Sequence, residues 1–253
     1  MVNIILIPIS LIPVILLYLW LKKKCFSDEQ HAKLAGKAFR LGLFMVLPVL
    51  GMGVVFMIIG RLFGLKGDES VAGAFYHNFF ILALSEEVSK VLMLYWLVKK
   101  NKTDYSRMDI IIYWVGIAIG FDILESTVYG LMTNAAQIIV RGVTLPHVGL
   151  GFVAGLIASL AIRKNNKMLF IPAFLLPWVW HGLYDFSLSG PASEANTILG
   201  NIMTIVALGL ALFSLVTAIV FIVFVKKKRN MPEYTDYIIR GAVPSEADGL
   251  HQQ

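Results

Sequence analysis

The sequence predicts an all-α membrane bundle of about seven transmembrane helices, with the N-terminus outside and the C-terminus in the cytoplasm. Of the 253 residues, 58% are hydrophobic and only 15% are charged, whereas a soluble domain has about 45–50% apolar and about 25% charged residues. The apolar residues form long runs, and the basic residues concentrate between alternate runs. Such a chain needs the bilayer as its solvent, which argues against a secreted enzyme, a cytosolic domain and a soluble nucleic-acid binder.

Each predicted span is a run of about 20 apolar residues, the length of helix that crosses about 30 Å of hydrocarbon. The runs lie at approximately 2–21, 39–63, 72–98, 110–131, 143–162, 168–188 and 198–225. The first run lacks a positively charged start and is followed by Lys22, Lys23 and Lys24. We therefore expect it to remain as an anchor rather than to be cleaved as a signal peptide.

The distribution of basic residues predicts the orientation. Eighteen of the 22 Lys and Arg residues follow the first, third, fifth and seventh runs, and cytoplasmic loops carry such an excess. Residues 1–225 are expected to form one membrane domain, and 226–253 a basic cytosolic tail without a fixed fold. The lone Cys25 excludes an intramolecular disulfide and a cysteine-based metal site.

Eight ionisable residues fall inside four of the predicted spans. A charge at the centre of a membrane helix costs about 2.5–3.5 kcal/mol, so such residues usually mark a functional site. They are Glu86, Glu87, Lys90, Asp122, Glu125, His147, His181 and Asp185. Several are expected in the outer half of the membrane, where a cavity open to the outside could supply water.

Glu86 and Glu87 are consecutive, so on a helix their side chains point about 100° apart and should have different tasks. Glu86 shares its face with Ser89 and Lys90, which favours it as the reacting carboxylate. Lys90 has the spacing to neutralise either glutamate. A purely structural Glu86–Lys90 ion pair is the alternative interpretation.

The next candidates lie on the fourth span. Asp122 and Glu125 are three residues apart, so they share a helix face, and Phe121 precedes Glu125 on that face as a packing residue. Asp122 could instead serve as the structural partner of Lys90.

Two histidines complete the set. His147 follows Pro146 in an expected first helical turn at the outer end of its span. His181 and Asp185 are four residues apart, so the carboxylate can orient the imidazole.

Four segments resemble, in order, the motifs of PrsW-type intramembrane proteases. Ser85–Lys90 is similar to their E-E-x-x-K motif, Gly120–Glu125 to F-x-x-x-E, and His181–Asp185 to H-x-x-x-D, with a basic-then-histidine segment at Arg141–His147. The related CAAX-prenyl and bacteriocin-processing proteases usually have Arg and His where this chain has Lys90 and Glu125.

The resemblance implies an intramembrane endopeptidase in the plasma membrane of a bacterium, with a motif core at residues 72–188. Its substrate would be a membrane protein of the single-span type, cut in or near the outer half of the bilayer. A site-1 cleavage of an anti-sigma-factor-like protein in regulated proteolysis is the example that the family offers. The expected partners are this substrate and the lipid bilayer, and no nucleic acid.

The chemistry leaves two mechanisms open. The catalytic candidates are Glu86, Glu87, Glu125, His147 and His181, supported by Lys90, Phe121, Asp122 and Asp185. Without a metal, Glu86 would take a proton from water while the histidines stabilise the oxyanion or protonate the leaving amine. With Zn²⁺, His147 and His181 would be ligands together with Glu125 or Glu87. The absence of an H-E-x-x-H helix slightly favours the metal-free mechanism.

Two interpretations compete with a protease. Intramembrane acids, histidines and lysines also build proton relays and ion sites in transporters, although no internal repeat supports that interpretation. An inactive protease-fold scaffold that binds other membrane helices is the second.

Overall fold

Helices are the only regular secondary structure in the residues that the computed structural model describes, which are 2–24, 29–65, 70–101, 105–132, 134–164, 166–194 and 197–229. The predicted all-α class is confirmed. The α-helices are α1 (Val2–Lys24), α2 (Glu29–Phe44), α3 (Val46–Leu62), α4 (Val71–Tyr76), α5 (Ser85–Lys100), α6 (Arg107–Met132), α7 (Ala135–Thr144), α8 (Pro146–Arg163), α9 (Phe170–Leu188), α10 (Gly190–Ser193) and α11 (Ile198–Arg229). A π-helix (His77–Leu84) joins α4 to α5, and a 3-10 turn (Lys167–Leu169) precedes α9.

Five helical stretches within these residues are long and apolar enough to cross a membrane, so the protein is a multi-pass membrane protein. They are Ile5–Lys23, Glu29–Leu62, Arg107–Leu131, Ala135–Ala161 and Ile198–Lys227. The other two predicted spans, 72–98 and 168–188, fall on segments whose hydropathy is reduced by the charged candidate residues. The number of seven transmembrane helices and the orientation of the chain across the bilayer stay predictions.

Two of these stretches each consist of two helices. The predicted run 39–63 falls within Glu29–Leu62, where a turn at Met45 separates α2 from α3. The predicted run 143–162 overlaps Ala135–Ala161, where Leu145 adopts a left-handed conformation (φ 48°) that ends α7 before α8 begins at Pro146. Proline then starts α8 at the position where its missing N–H costs nothing.

Helix α6 lies at the centre of the bundle and packs against α1, α2 and α8. Its buried residues face two apolar clusters and include Ile110, Ile111, Tyr113, Val115, Ile117 and Ile119. At Gly120, a Cβ atom would collide with the backbone oxygen of Phe39 on α2, so only glycine permits this approach. The contact fixes the part of α6 that carries Asp122 and Glu125.

Helices α3 and α11 turn large apolar side chains away from the bundle, as a lipid-facing surface requires. Examples are Leu47, Leu50, Val55, Ile58, Ile205, Leu208, Leu212 and Ile219. Helix α11 continues to Arg229, so the predicted tail at 226–253 begins within a helix, and its residues 230–253 lie outside the described residues. The domain division at residue 225 stays a prediction.

Candidate active site

The eight ionisable residues singled out from the sequence meet in one cluster inside the bundle. They come from the start of α5, the second half of α6, the first turn of α8 and the second half of α9. Six of them are buried, and they are Glu86, Glu87, Lys90, Asp122, His147 and His181. The side chains of Glu125 and Asp185 retain 19% and 16% exposure, so the cluster reaches the surface beside these two carboxylates.

A π-helix places the first glutamates. Residues His77–Leu84 are wound more loosely than an α-helix and run directly into Ser85, and such π segments often occur at functional sites. Trp178 of α9 donates a hydrogen bond from Nε1 to the backbone oxygen of Phe79 at 2.7 Å. Gly182, one residue after His181, lies so close to the Phe79 ring that a Cβ atom would overlap it. These contacts fix the spacing between α9 and the start of α5.

The imidazole of His181 lies among three carboxylates. Its Nδ1 donates to Oε1 of Glu87 at 3.0 Å. Its Nε2 lies 3.2 Å from Oδ2 of Asp185 and 3.6 Å from Oε2 of Glu86. The expected contact between His181 and Asp185 is therefore present, and two further carboxylates share the ring.

Lys90 joins the glutamate pair to the second histidine. Its Nζ donates to Oε1 of Glu87 at 2.5 Å and lies 3.0 Å from Nδ1 of His147. Because an ammonium group can only donate, Nδ1 of His147 accepts this bond and the ring proton is on Nε2. Nε2 in turn donates to Oε2 of Glu125 at 2.5 Å.

The partner of Lys90 is Glu87, one of the two glutamates that its spacing allowed. The alternative partners, Glu86 and Asp122, form no ion pair with it within the described residues. Glu86 and Glu87 approach opposite nitrogens of the same imidazole. The offset of 100° at the backbone is compensated by long side chains that close around His181 from two sides.

Arg141 is the site residue that the sequence analysis did not include among its candidates. It is buried in α7, and its Nη2 donates to Oε2 of Glu125 at 2.5 Å. Its guanidinium also lies 4.8 Å from the centre of the Tyr129 ring. The available signal was a lone arginine in an apolar stretch six residues before His147, within the segment that carried the family resemblance.

The remaining two candidates support His147. The ring of Phe121 meets it edge to face at 5.3 Å, which agrees with the packing role expected for this phenylalanine. The rings of His147 and His181 meet in the same manner at 5.1 Å. Asp122 accepts a hydrogen bond from Ser126 at 3.2 Å, and one of its oxygens lies within 4.8 Å of ligand atoms of Glu125 and His147.

Two spaces adjoin the cluster. The inner cavity touches both histidines and Asp185. Its volume, measured as the space open to the centre of a water-sized sphere, is about 10 Å³, which is near the minimum for one water molecule. The outer one is a groove of about 160 Å³ by the same measure. It is lined by Tyr129, Ala136, Gln137, Val140, Arg141, Tyr184, Leu188, Ala207, Leu208 and Ala211. Arg141 and Tyr184 line both spaces, so the groove lies directly beside the cluster.

Comparison with known proteins identifies the family. The model of the PrsW family of intramembrane metalloproteases matches residues 30–225. The chain belongs to the PrsW family. It is 30% identical to protease PrsW of Geobacillus kaustophilus over 181 residues, which are 69% of this chain and 74% of the relative. It is 27% identical to protease PrsW of Oceanobacillus iheyensis over 184 residues, which are 71% and 80% of the two chains. No solved structure matches the chain significantly.

Membership of the PrsW family makes the protein an intramembrane metalloprotease. The resemblance found in the sequence is confirmed, and the protease interpretation takes precedence over a transporter or an inactive scaffold. The matched residues include all eight ionisable residues of the cluster.

The donor atoms of the cluster fit the metal that the family description implies. Glu86, His147 and His181 bring one ligand atom each within 4.8 Å of one another, and two histidines with one glutamate form a known catalytic zinc set. Oε2 of Glu86 is buried and has no hydrogen-bond partner within the described residues. Each histidine also has a carboxylate on one nitrogen, the arrangement that orients metal-bound imidazoles.

Glu86 lies in one group with the two histidines, whereas Glu125, which the sequence offered as a ligand with Glu87 as the alternative, lies in a second group with Asp122 and His147. In that second group, Oε2 of Glu125 already accepts bonds from Arg141 and His147. Two carboxylates with one histidine also resemble a catalytic zinc set less closely. The group containing Glu86 is therefore the better metal site, and Lys90 would have to turn from Nδ1 of His147 towards Glu87 to admit an ion.

Proposed function

We propose that this PrsW-family protease hydrolyses a peptide bond of a single-span membrane protein in the outer half of the bilayer, at the cluster around Glu86. The observation that carries the proposal is the burial of the Glu86 carboxylate without a hydrogen-bond partner on Oε2 among the described residues. The carboxylate also lies with both histidines. Glu86 can therefore bind a water molecule or an ion, whereas Glu87 already accepts a hydrogen bond from Lys90 and Glu125 one from Arg141.

Without a bound ion, Glu86 accepts the proton of the attacking water at Oε2. Asp185 and Glu125 keep part of their exposure, and the inner cavity, which Asp185 lines, has room for about one water molecule. Glu86, His147 and His181 would hold a metal, and the bound ion would polarise the scissile carbonyl and the attacking water.

Without a bound ion, His181 is the group that returns the proton, because its Nε2 faces Glu86 while Nδ1 is fixed on Glu87. A proton taken by Glu86 then has a short path to Nε2 and on to the leaving amine. With an ion held by Glu86, His147 and His181, this Nε2 would be a ligand instead. Glu87 and Asp185 are positioning residues for this ring. Glu125, held by Arg141, is the positioning residue for His147.

The groove beside the cluster is the proposed approach for the substrate. Six of its ten lining residues are aliphatic, three of them alanines, and Arg141 and Tyr184 are shared with the inner cavity. An unwound membrane segment presents carbonyl groups without partners, and Arg141 supplies a buried Nε donor that has no acceptor within the described part of the chain. The proposed substrate class is that of anti-sigma-factor-like proteins in the plasma membrane of a bacterium, as the family resemblance implies.

The test uses purified protein in liposomes with a panel of tagged single-span peptides. Products are identified by mass spectrometry for the wild type, for Glu86→Gln, and for Glu194→Gln as a matched control at an exposed glutamate. Gln keeps the shape of the side chain and removes the base, so Glu86→Gln should lose at least about 100-fold in rate. The control should cut as the wild type does. Equal cleavage by wild type and Glu86→Gln would refute the assignment of Glu86.

A further inference from the structure

A second cavity lies between α1, α2 and α6, away from the candidate active site. Its volume, measured as the space open to the centre of a water-sized sphere, is about 320 Å³. It is lined by Tyr18, Leu21, Lys22, Glu29, Ala32, Lys33, Ala35, Gly36, Arg40, Ile112 and Gly116. None of these residues lines the active-site cavity or its groove, and hydrolysis uses none of them.

The cavity carries an excess of positive charge. Lys22, Lys33 and Arg40 face it together with one acid, Glu29. Lys33 and Glu29 are paired with each other at 2.8 Å, which leaves Lys22 and Arg40 as the net charge of the wall. A pair of cations on two different helices around one space is the arrangement that binds a phosphate group.

Gly36 keeps the space open beside Arg40. A Cβ atom at Gly36 would lie 3.9 Å from Nη1 of Arg40, so a longer side chain there would occupy the volume in front of the guanidinium. Tyr18, which lines the same space, is stacked on Phe39 at 4.1 Å. This stacking holds the Tyr18 ring in the wall of the cavity.

Much of the charged wall lies at the ends of two candidate spans. The first candidate span ends at Lys23 and the second begins at Glu29, so Lys22 and Lys33 are within about one turn of these ends. Arg40 lies deeper, in the second half of α2. Leu21 and Ile112 provide apolar wall, and Leu16 and Leu19 on α1 are exposed towards the lipid. A ligand here meets cations at one end and hydrocarbon at the other.

We propose that this cavity binds the phosphate headgroup of an anionic phospholipid. Basic pockets between membrane helices bind such headgroups, and juxtamembrane lysines and arginines attract anionic lipid. Inorganic phosphate is an anion like the lipid headgroup but has no acyl chains. The apolar part of the wall, Leu21 and Ile112, therefore favours a phospholipid over inorganic phosphate.

The experiment measures lipid retention by native mass spectrometry on the delipidated full-length protein. Phosphatidylglycerol, phosphatidylcholine and inorganic phosphate are titrated separately. Wild type should retain one phosphatidylglycerol more tightly than phosphatidylcholine, and Lys22→Gln and Arg40→Gln should each weaken it about fivefold. Gly36→Leu removes no charge and should abolish the specific binding by filling the cavity, whereas Arg40→Lys should largely retain it.

Lys99→Gln with Lys100→Gln is the matched control, because it removes two exposed charges at the end of α5. Melting temperatures of all variants show that each is folded. The proposal is overturned if the control weakens retention as much as the cavity variants do, or if Gly36→Leu binds as the wild type does. It is also overturned if inorganic phosphate binds with the same dependence on Lys22 and Arg40 while phosphatidylglycerol does not. Because no cleavage is measured, these outcomes are independent of the proposed protease mechanism.

Discussion

Oε1 of Glu87 accepts a hydrogen bond from Nδ1 of His181 at 3.0 Å, and this contact determines how the two adjacent glutamates differ. Lys90 donates to the same oxygen of Glu87 at 2.5 Å, so this oxygen already accepts two hydrogen bonds. The ring is thereby turned so that Nε2 faces Glu86 and Asp185. Glu87 thus orients the histidine, and Glu86 keeps an oxygen available for chemistry.

This difference predicts different kinetic defects for the two glutamates. Glu87→Gln should lower kcat by about 10- to 100-fold, since it weakens the orientation of His181 without removing the reacting carboxylate. Glu86→Gln should lower kcat by more than that, with the variant still folded. The measurement is single-turnover cleavage in liposomes together with thermal unfolding of each variant. Equal defects for the two variants would contradict the separate roles.

Metal content provides a second prediction. Purified wild type should contain about one Zn²⁺ per chain by elemental mass spectrometry, and His147→Ala or His181→Ala should lose it because each removes one of three ligands. Glu125→Gln should retain most of the metal, since Glu125 acts on His147 and is not itself a ligand. Treatment with a chelator should stop cleavage, and Zn²⁺ should restore it.

Two results would contradict the metal prediction. If the wild type cuts at full rate after exhaustive chelation and contains no metal, Glu86 and the histidines act on water directly. A protein in which Glu125→Gln loses the metal as completely as His147→Ala would instead assign the ion to the group of Asp122, Glu125 and His147.

The sequence predicted the residues of the site better than their pairing. Hydrocarbon excludes charge, so Glu86, Glu87, Lys90 and His181 stood out without any structure. The spacing from Lys90 permitted a bond to either glutamate, and only the tertiary contact with His181 decides for Glu87. Arg141 was outside the candidates because a single arginine near a span end is ordinary in a membrane protein.

The fold, too, could be predicted only in part from the sequence. Hydropathy predicted helical spans, but it could not find the turn at Met45, since the residues on both sides of the turn, 43–44 and 46–47, are apolar. It could not find the π-helix at His77–Leu84 either, because that loosened winding depends on contacts with Trp178 and Gly182 of another helix. These features position the start of α5, so the geometry of the site needed the structure.

The ion pair of Arg141 with Glu125 predicts a stability effect that a double variant can isolate. Arg141→Met should destabilise the protein by about 3 kcal/mol, because it leaves a mostly buried carboxylate with only His147 as partner. Adding Glu125→Gln should recover at least half of that loss, since the uncompensated charge is removed. Unfolding in mixed detergent measures the free energies. Cleavage should not recover in the double variant, because His147 has lost its orienting carboxylate.

Additive destabilisation by the two substitutions would contradict this prediction. It would mean that Arg141 and Glu125 contribute independently rather than through their 2.5 Å contact.

The groove predicts a specific defect in substrate binding. Ala211 lies on α11 with its small side chain in the groove wall, so Ala211→Leu should block the space and raise KM by about tenfold for single-span peptides. Gly209→Leu is the matched control, because it adds a comparable side chain two residues away where a Cβ atom meets nothing within 4 Å. Metal content and melting temperature should stay at wild-type values in both variants, which separates blocked access from damage to the cluster. If Ala211→Leu cleaves with the wild-type KM, or if Gly209→Leu raises KM equally, the substrate does not approach through this groove.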